Sequence, residues 1–135
     1  MSNNSHTIIA GGGRVGFRVA QFFEQRGHEV TVIEKDLDRL PEEASGEIEV
    51  VAGDATSPPL LSNALTDDTA VIGALTDSDS TNLAVCLAAE TFQPDIRTVA
   101  SITDAEGDEY EQLVDEDVFP ESASVKTAVN ALSWR

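Results

Sequence analysis

The chain carries one cysteine, Cys86, which excludes an intrachain disulfide and a cysteine-ligated metal cluster. Lysine occurs only at Lys35 and Lys126, and histidine only at His6 and His28. Against 8 basic side chains stand 25 acidic ones, a formal net charge of -17. That balance excludes a generic nucleic-acid binder, because phosphate backbones are neutralised by Lys and Arg. It also disfavours docking on an anionic membrane through a basic patch. No apolar run approaches the roughly 20 residues of a membrane helix. Met1-Ser2-Asn3-Asn4-Ser5 lacks the pattern of a signal peptide. The chain reads as cytosolic, with Met1 to Ser5 a disordered N-terminus.

What remains is a globular chain. Its 135 residues are 41% apolar, enough for one core and one domain, spanning 6–135. The acids are spread along the chain rather than gathered in a tail. They read as a solvated coat of the kind that keeps a protein hydrated at high salt, where screening removes their repulsion. The alternative is an acidic face for a basic partner.

Short β-rich runs alternate with helical stretches. Thr7 to Ala10, Val30 to Ile33, Ile48 to Ala52, Ala70 to Leu75, Arg97 to Ile102 and Val118-Phe119 read as strands. Helices are expected from Arg14 to Gln25, with Val15, Val19, Phe22 and Phe23 at helical spacing, and briefly from Asp36 to Leu40. Others follow from Ser57, as cap, to Leu65 and from a cap at Asp79 or Ser80 to Phe92. An acidic helix from Glu106 to Val114 and a final one from Glu121 to Leu132 complete the chain. Near-continuous apolar strands between helices mean a parallel sheet covered on both faces. The fold class is therefore α/β, a Rossmann-like doubly wound parallel sheet of about six strands.

Gly11-Gly12-Gly13-Arg14-Val15-Gly16 matches G-x-G-x-x-G between the first strand and the first helix. Gly11 would allow the tight turn, Gly13 the approach of a pyrophosphate, and Gly16 close packing of helix on strand. The helix N-terminus would supply unpaired N–H groups to phosphates. Glu34 closes the second strand at about the 20-residue distance of the acid that binds adenosine ribose, which favours NAD or an adenine nucleotide over NADP. Asp36 either contributes to the ribose or caps the next helix; Lys35 either offsets local charge or is simply exposed. Asp54 and Ala55 at the end of the third strand, and Thr76 and Asp77 at the end of the fourth, face the same crevice. Asp54 would accept from an adenine amine or cap a helix. Thr76 would contact ribose or phosphate, or hold a turn.

Catalytic chemistry is missing. His6 and His28 both precede strands, at the end of the sheet away from the crevice. Tyr110 has no Tyr-x-x-x-Lys pattern, and Cys86, between Val85 and Leu87, reads as a core thiol. There is no H-E-x-x-H or G-x-S-x-G, and the acids from Asp104 to Asp117 lack EF-hand spacing. The chain is expected to hold a dinucleotide without using it chemically.

The glycine loop, Val32-Ile33-Glu34-Lys35-Asp36, Gly53-Asp54-Ala55-Thr56 and Leu75-Thr76-Asp77 with Asn82 together resemble the TrkA N-terminal (RCK or KTN) domain family. Val118-Phe119-Pro120-Glu121 is similar to that family's closing segment. The resemblance implies a regulatory domain of a potassium channel or transporter, cytoplasmic and peripheral to the inner face of the membrane. It implies NAD(H), or ATP, ADP or AMP, as ligand. A membrane-embedded channel or transporter subunit and a second copy, in a homodimer or larger ring, are the implied partners. By matching position, Gly11 to Gly16 would hold phosphates, Glu34 or Asp36 the ribose, and Asp54, Thr76 and Asp77 the rest. This chain departs from the family pattern at Ala100-Ser101, where many members carry a basic residue, which bears on a supplementary phosphate contact. It also ends after the last helix, without the usual C-terminal ligand domain, as a fragment or a short stand-alone form. Val125, Ala128, Val129 and Leu132 form an apolar stripe expected to pack on the sheet or to seek a second copy. The rivals are a small NAD-dependent oxidoreductase, or its cofactor-binding subunit, and a scaffold used for assembly alone.

Overall fold

In the computed structural model, residues 5–41, 47–103, 116–118, 129 and 131–132 are described. The strands are β1 (His6–Ala10), β2 (Glu29–Glu34), β3 (Glu49–Ala52), β4 (Thr69–Ala74), β5 (Arg97–Ser101) and β6 (Glu116–Val118). Each pairs in parallel with its neighbours in the order β3-β2-β1-β4-β5-β6. Among the described residues α1 (Gly13–Glu24) joins β1 to β2, α2 (Pro58–Ala64) leads from β3 to β4, and α3 (Asp79–Phe92) joins β4 to β5. The expected doubly wound sheet is thus present, with strand limits within two residues of those read from the sequence.

Strand side chains point alternately to opposite faces, so a strand covered on both sides must be apolar throughout. Ile8 and Ala10 of β1 face a core with Ile33, Ile72, Ala74 and the Leu61, Leu83, Val85 and Cys86 side chains of α2 and α3. Ile9, between them, faces the opposite core with Val32, Val71, Val99 and the Phe17, Ala20 and Phe23 side chains of α1. Cys86 is fully buried, as a core thiol should be.

Several local expectations need correction. The buried face of α1 is Gly13, Gly16, Phe17, Val19, Ala20 and Phe23; Val15 is 40% exposed, and Phe22 lies half-buried beneath the Arg26 guanidinium. The cap of α3 is Ser78, which accepts from Thr81 N–H at 3.2 Å, rather than Asp79 or Ser80. Ser57 holds the cap position of α2, but its side chain makes no capping bond. Ser5 is not loose: its hydroxyl lies 2.9 Å from His28 Nδ1, and its carbonyl accepts from Glu29 N–H.

Val129, Ala131 and Leu132 are helical and buried in the α1-side core, with Leu132 against Gly73. Val129 and Leu132 of the expected stripe thus cover the chain's own sheet and are not free for a second copy. Val125, Ala128 and the expected acidic helix from Glu106 to Val114 lie outside the described residues, as does Phe119.

Candidate nucleotide-binding site

The strand order reverses between β1 and β4, whose crossover helices leave to opposite faces, and this opens a crevice at the C-terminal strand ends. A cleft of about 360 Å³ lies there. Gly11, Gly12, Glu34, Lys35, Asp36, Asp54, Ala55, Thr76 and Asp77 line it, so nine of the expected site residues converge on one hollow.

The glycine loop is built by steric need. Gly11 has φ +74°, and a Cβ there would collide with the Thr76 methyl carbon, so the β1 and β4 loops touch only because the side chain is absent. A Cβ on Gly16 would collide with the Gly11 carbonyl oxygen, which lets α1 lie close on the loop. Gly13 has φ +54°, and the space beside it is open except for the Arg39 guanidinium, 3.6 Å from where a Cβ would stand. Gly12 caps α1 in the left-handed conformation with no side-chain bond, and no acid stands in the first turn. The leading N–H groups and the positive end of the helix dipole therefore face an anion position. Arg14 and Val15 occupy that turn as exposed residues outside the cleft wall.

Glu34 is the sharpest feature. It is 4% exposed, and its Oε2 accepts from Asp36 N–H at 3.0 Å. Oε1 is buried and has no partner. An orphaned buried carboxylate oxygen costs roughly 1–3 kcal/mol or more, so the site favours a donor from outside. Ribose hydroxyls are such donors; a 2′-phosphate is not. Asp36 uses its Oδ1 to cap the short 3-10 turn Leu37–Arg39 through Asp38 N–H, so its role here is capping. Lys35 is exposed on the rim.

Asp54 Oδ1 accepts from Thr56 N–H at 2.9 Å and from Thr56 Oγ1 at 2.7 Å. These bonds, with a smaller contribution from Lys35, hold its carboxyl below the usual range. Asp54 therefore shapes its own turn with one oxygen. Thr76 also has a structural duty: its N–H and hydroxyl both donate to Asn82 Oδ1, at 3.0 and 2.6 Å.

Two further residues shape the site: Asn82 entered the sequence reading only as part of the resembling motif, with no role assigned, and Arg39 did not enter it. Asn82 is fully buried on α3, and its Nδ2 donates to the carbonyls of Thr76 and Ser101, at 3.0 and 2.7 Å. One side chain thus ties the ends of β4 and β5 together behind the crevice. Its signal was an amide on an otherwise apolar helix face. Arg39, one turn beyond β2, reaches back over the glycine loop; no spacing rule points to it.

The opposite end of the sheet carries a wider cleft, about 710 Å³, beside His6 and Glu49. His6 bridges Thr69 Oγ1 at 2.6 Å and Thr31 Oγ1 at 2.8 Å, and Thr31 donates onward to Glu49 at 2.9 Å. This donor order fits a neutral imidazole protonated at Nε2. Burial lowers its pKa, opposed by Glu29, Glu49 and Asp68. His6 and His28 are both far from the glycine loop, as expected. Among the described residues no His, Cys, Asp and Glu cluster is placed to hold a metal, and no helix is long and apolar enough to cross a membrane.

A doubly wound α/β domain with a candidate ligand crevice at its switch point is what the sheet order and this cleft define. The chain belongs to the TrkA-N domain family, which matches residues 7–120. A Trk system potassium uptake protein TrkA homolog of Pyrococcus horikoshii is 37% identical over 102 residues, covering 73% of this chain and 44% of that protein. This chain thus spans under half the length of that relative. Among solved structures, the Shewanella denitrificans Kef CTD in its AMP-bound form has a TM-score of 0.74 at 24% identity, covering 94% of this chain and 77% of that one. The GsuK channel bound to NAD has a TM-score of 0.71 at 22% identity, covering 87% of this chain and 22% of that one.

Proposed function

We propose that this chain is a nucleotide-sensing regulatory domain for potassium transport, taking NAD(H) or an adenine nucleotide in the crevice between β1 and β4. The observation that carries the reading is Glu34 Oε1, buried without a partner beside an uncapped helix N-terminus. The potassium role is supported by the family and by the name of the Pyrococcus relative; the nucleotide is supported by the AMP and NAD complexes of similar folds. ATP or ADP shares the adenosine and phosphate chemistry that the site addresses.

In this reading the domain works at the cytoplasmic face of a membrane-embedded channel or transporter subunit, as a homodimer or larger ring. Gly11 to Gly13 and the first turn of α1 hold phosphate, Glu34 holds ribose, and Asn82 keeps the β4 loop in place. Regulation requires that the nucleotide bind one arrangement of the assembly better than another; equal affinity would shift nothing. The oxidoreductase alternative gains no support from the histidines, since His6 is engaged at the far end of the sheet.

Calorimetry with NAD, NADH, NADP, ADP and AMP tests the proposal. NAD or NADH should bind at least ~10-fold more tightly than NADP, about 1.4 kcal/mol. Equal affinity for NADP, or no binding of any of the five, overturns it.

A further inference from the structure

The crevice poses an electrostatic problem. Glu34, Asp36, Asp54 and Asp77 all line it, and an incoming diphosphate brings further negative charge. A cation close to the phosphate position would offset that repulsion beyond what the helix N-terminus supplies. The candidates are Arg14, Lys35 and Arg39. Arg14 is exposed outside the wall. Lys35 acts on Asp54, at the β3 side of the cleft. Arg39 alone lies at the loop: its Nε and Nη2 stand 3.6 Å from where a Cβ on Gly13 would be. Among the described residues no hydrogen bond or ion pair engages that guanidinium, although Asp36 and Asp38 share its turn. Its reach is set by the 3-10 turn, whose Arg39 N–H donates to the Asp36 carbonyl at 3.1 Å.

We propose that Arg39 is the residue that makes the site selective for a diphosphate-bearing nucleotide, clamping the diphosphate against the glycine loop. A planar guanidinium suits this role because it can give two parallel N–H bonds to phosphate oxygens. The buried, unpartnered Glu34 Oε1 in the same cleft is the independent sign that the hollow takes a ligand. The inference rests on the nucleotide reading above and adds the residue that decides which nucleotide is held.

The test compares ADP affinity in the unaltered chain, Arg39→Gln and Arg39→Lys at one fixed salt concentration, with melting of each ligand-free protein. Arg39→Gln should lose at least ~10-fold in ADP affinity, about 1.4 kcal/mol. Arg39→Lys should recover part of the loss as a point charge without the fork. Ligand-free melting should stay within about 2 °C, since the side chain is exposed and unbonded. The salt dependence of ADP binding should also weaken in Arg39→Gln. If the unaltered chain binds ADP and Arg39→Gln binds it equally well, the inference fails and the nucleotide reading stands. A loss of affinity matched by lower ligand-free melting would make Arg39 structural and would also overturn the inference. If the unaltered chain binds neither ADP nor NAD, both fall.

Discussion

Replacing Asn82 with alanine removes a side chain that ties the ends of β4 and β5 together. Four hydrogen bonds go: two donated by Thr76, at 3.0 and 2.6 Å, and two given to the Thr76 and Ser101 carbonyls, at 3.0 and 2.7 Å. The Ser101 carbonyl belongs to a buried residue, and leaving it unpaired costs about 1–3 kcal/mol. Thr76 is half-buried, so water can recover part of its losses, and these add about 1–2 kcal/mol in total. Loss of buried side-chain volume pushes the sum further in the same direction. We expect a destabilisation of roughly 2–5 kcal/mol, a large part of the ~5–15 kcal/mol available to a domain. At roughly 3–5 °C per kcal/mol for a chain of this size, melting should fall by about 6–25 °C. Urea unfolding monitored by circular dichroism gives the free energy directly. A loss below ~1 kcal/mol would show that the Asn82 network is not what fixes the crevice wall.

Gly11→Ala should bring the new methyl against Thr76 and force a left-handed alanine; we expect at least ~1–2 kcal/mol of lost stability together with lost nucleotide affinity, and unchanged melting would refute the close approach. Glu34→Gln should reduce any preference for NAD over NADP to within about 3-fold, read by calorimetry; an undiminished preference would place the discrimination elsewhere. His6 has a lowered pKa, so the unfolded chain takes up a proton first as pH falls. Its contribution is intact above the ordinary value of about 6.5 and is lost as pH drops through that value toward the folded one. Melting of His6→Gln should be less pH-sensitive across this window; an equal slope would exclude His6 as the source. If the acidic coat serves high salt, stability should rise from low to molar KCl, and a flat response would count against that reading.

The repeat of strands and helices was legible because parallel strands covered on both faces leave a continuous apolar record. The glycine loop and Glu34 were legible because spacing alone links them to a strand end and a helix start. What escaped depended on contacts between distant loops. Asn82 reads as one amide in an apolar helix until the ends of β4 and β5 are placed beside it. Arg39 gains meaning only when its turn folds back over Gly13. Val15 was misplaced because helical spacing marks a face without showing which of its positions the core reaches, and Val15 stays 40% exposed. The same blindness affects Asp36 and Asp54: position puts them at strand ends, but only geometry shows each spending an oxygen on its own turn.

The central claim is that a nucleotide sits on the glycine loop at the point where the strand order reverses. The most direct measurement is an NMR titration of labelled protein with NAD, following backbone amides. Saturable shifts concentrated at Gly12, Gly13, Arg14 and Glu34, with His6 and Glu49 at the opposite end unmoved, are predicted. Shifts centred on His6 and Glu49, or none at millimolar NAD, would contradict the account.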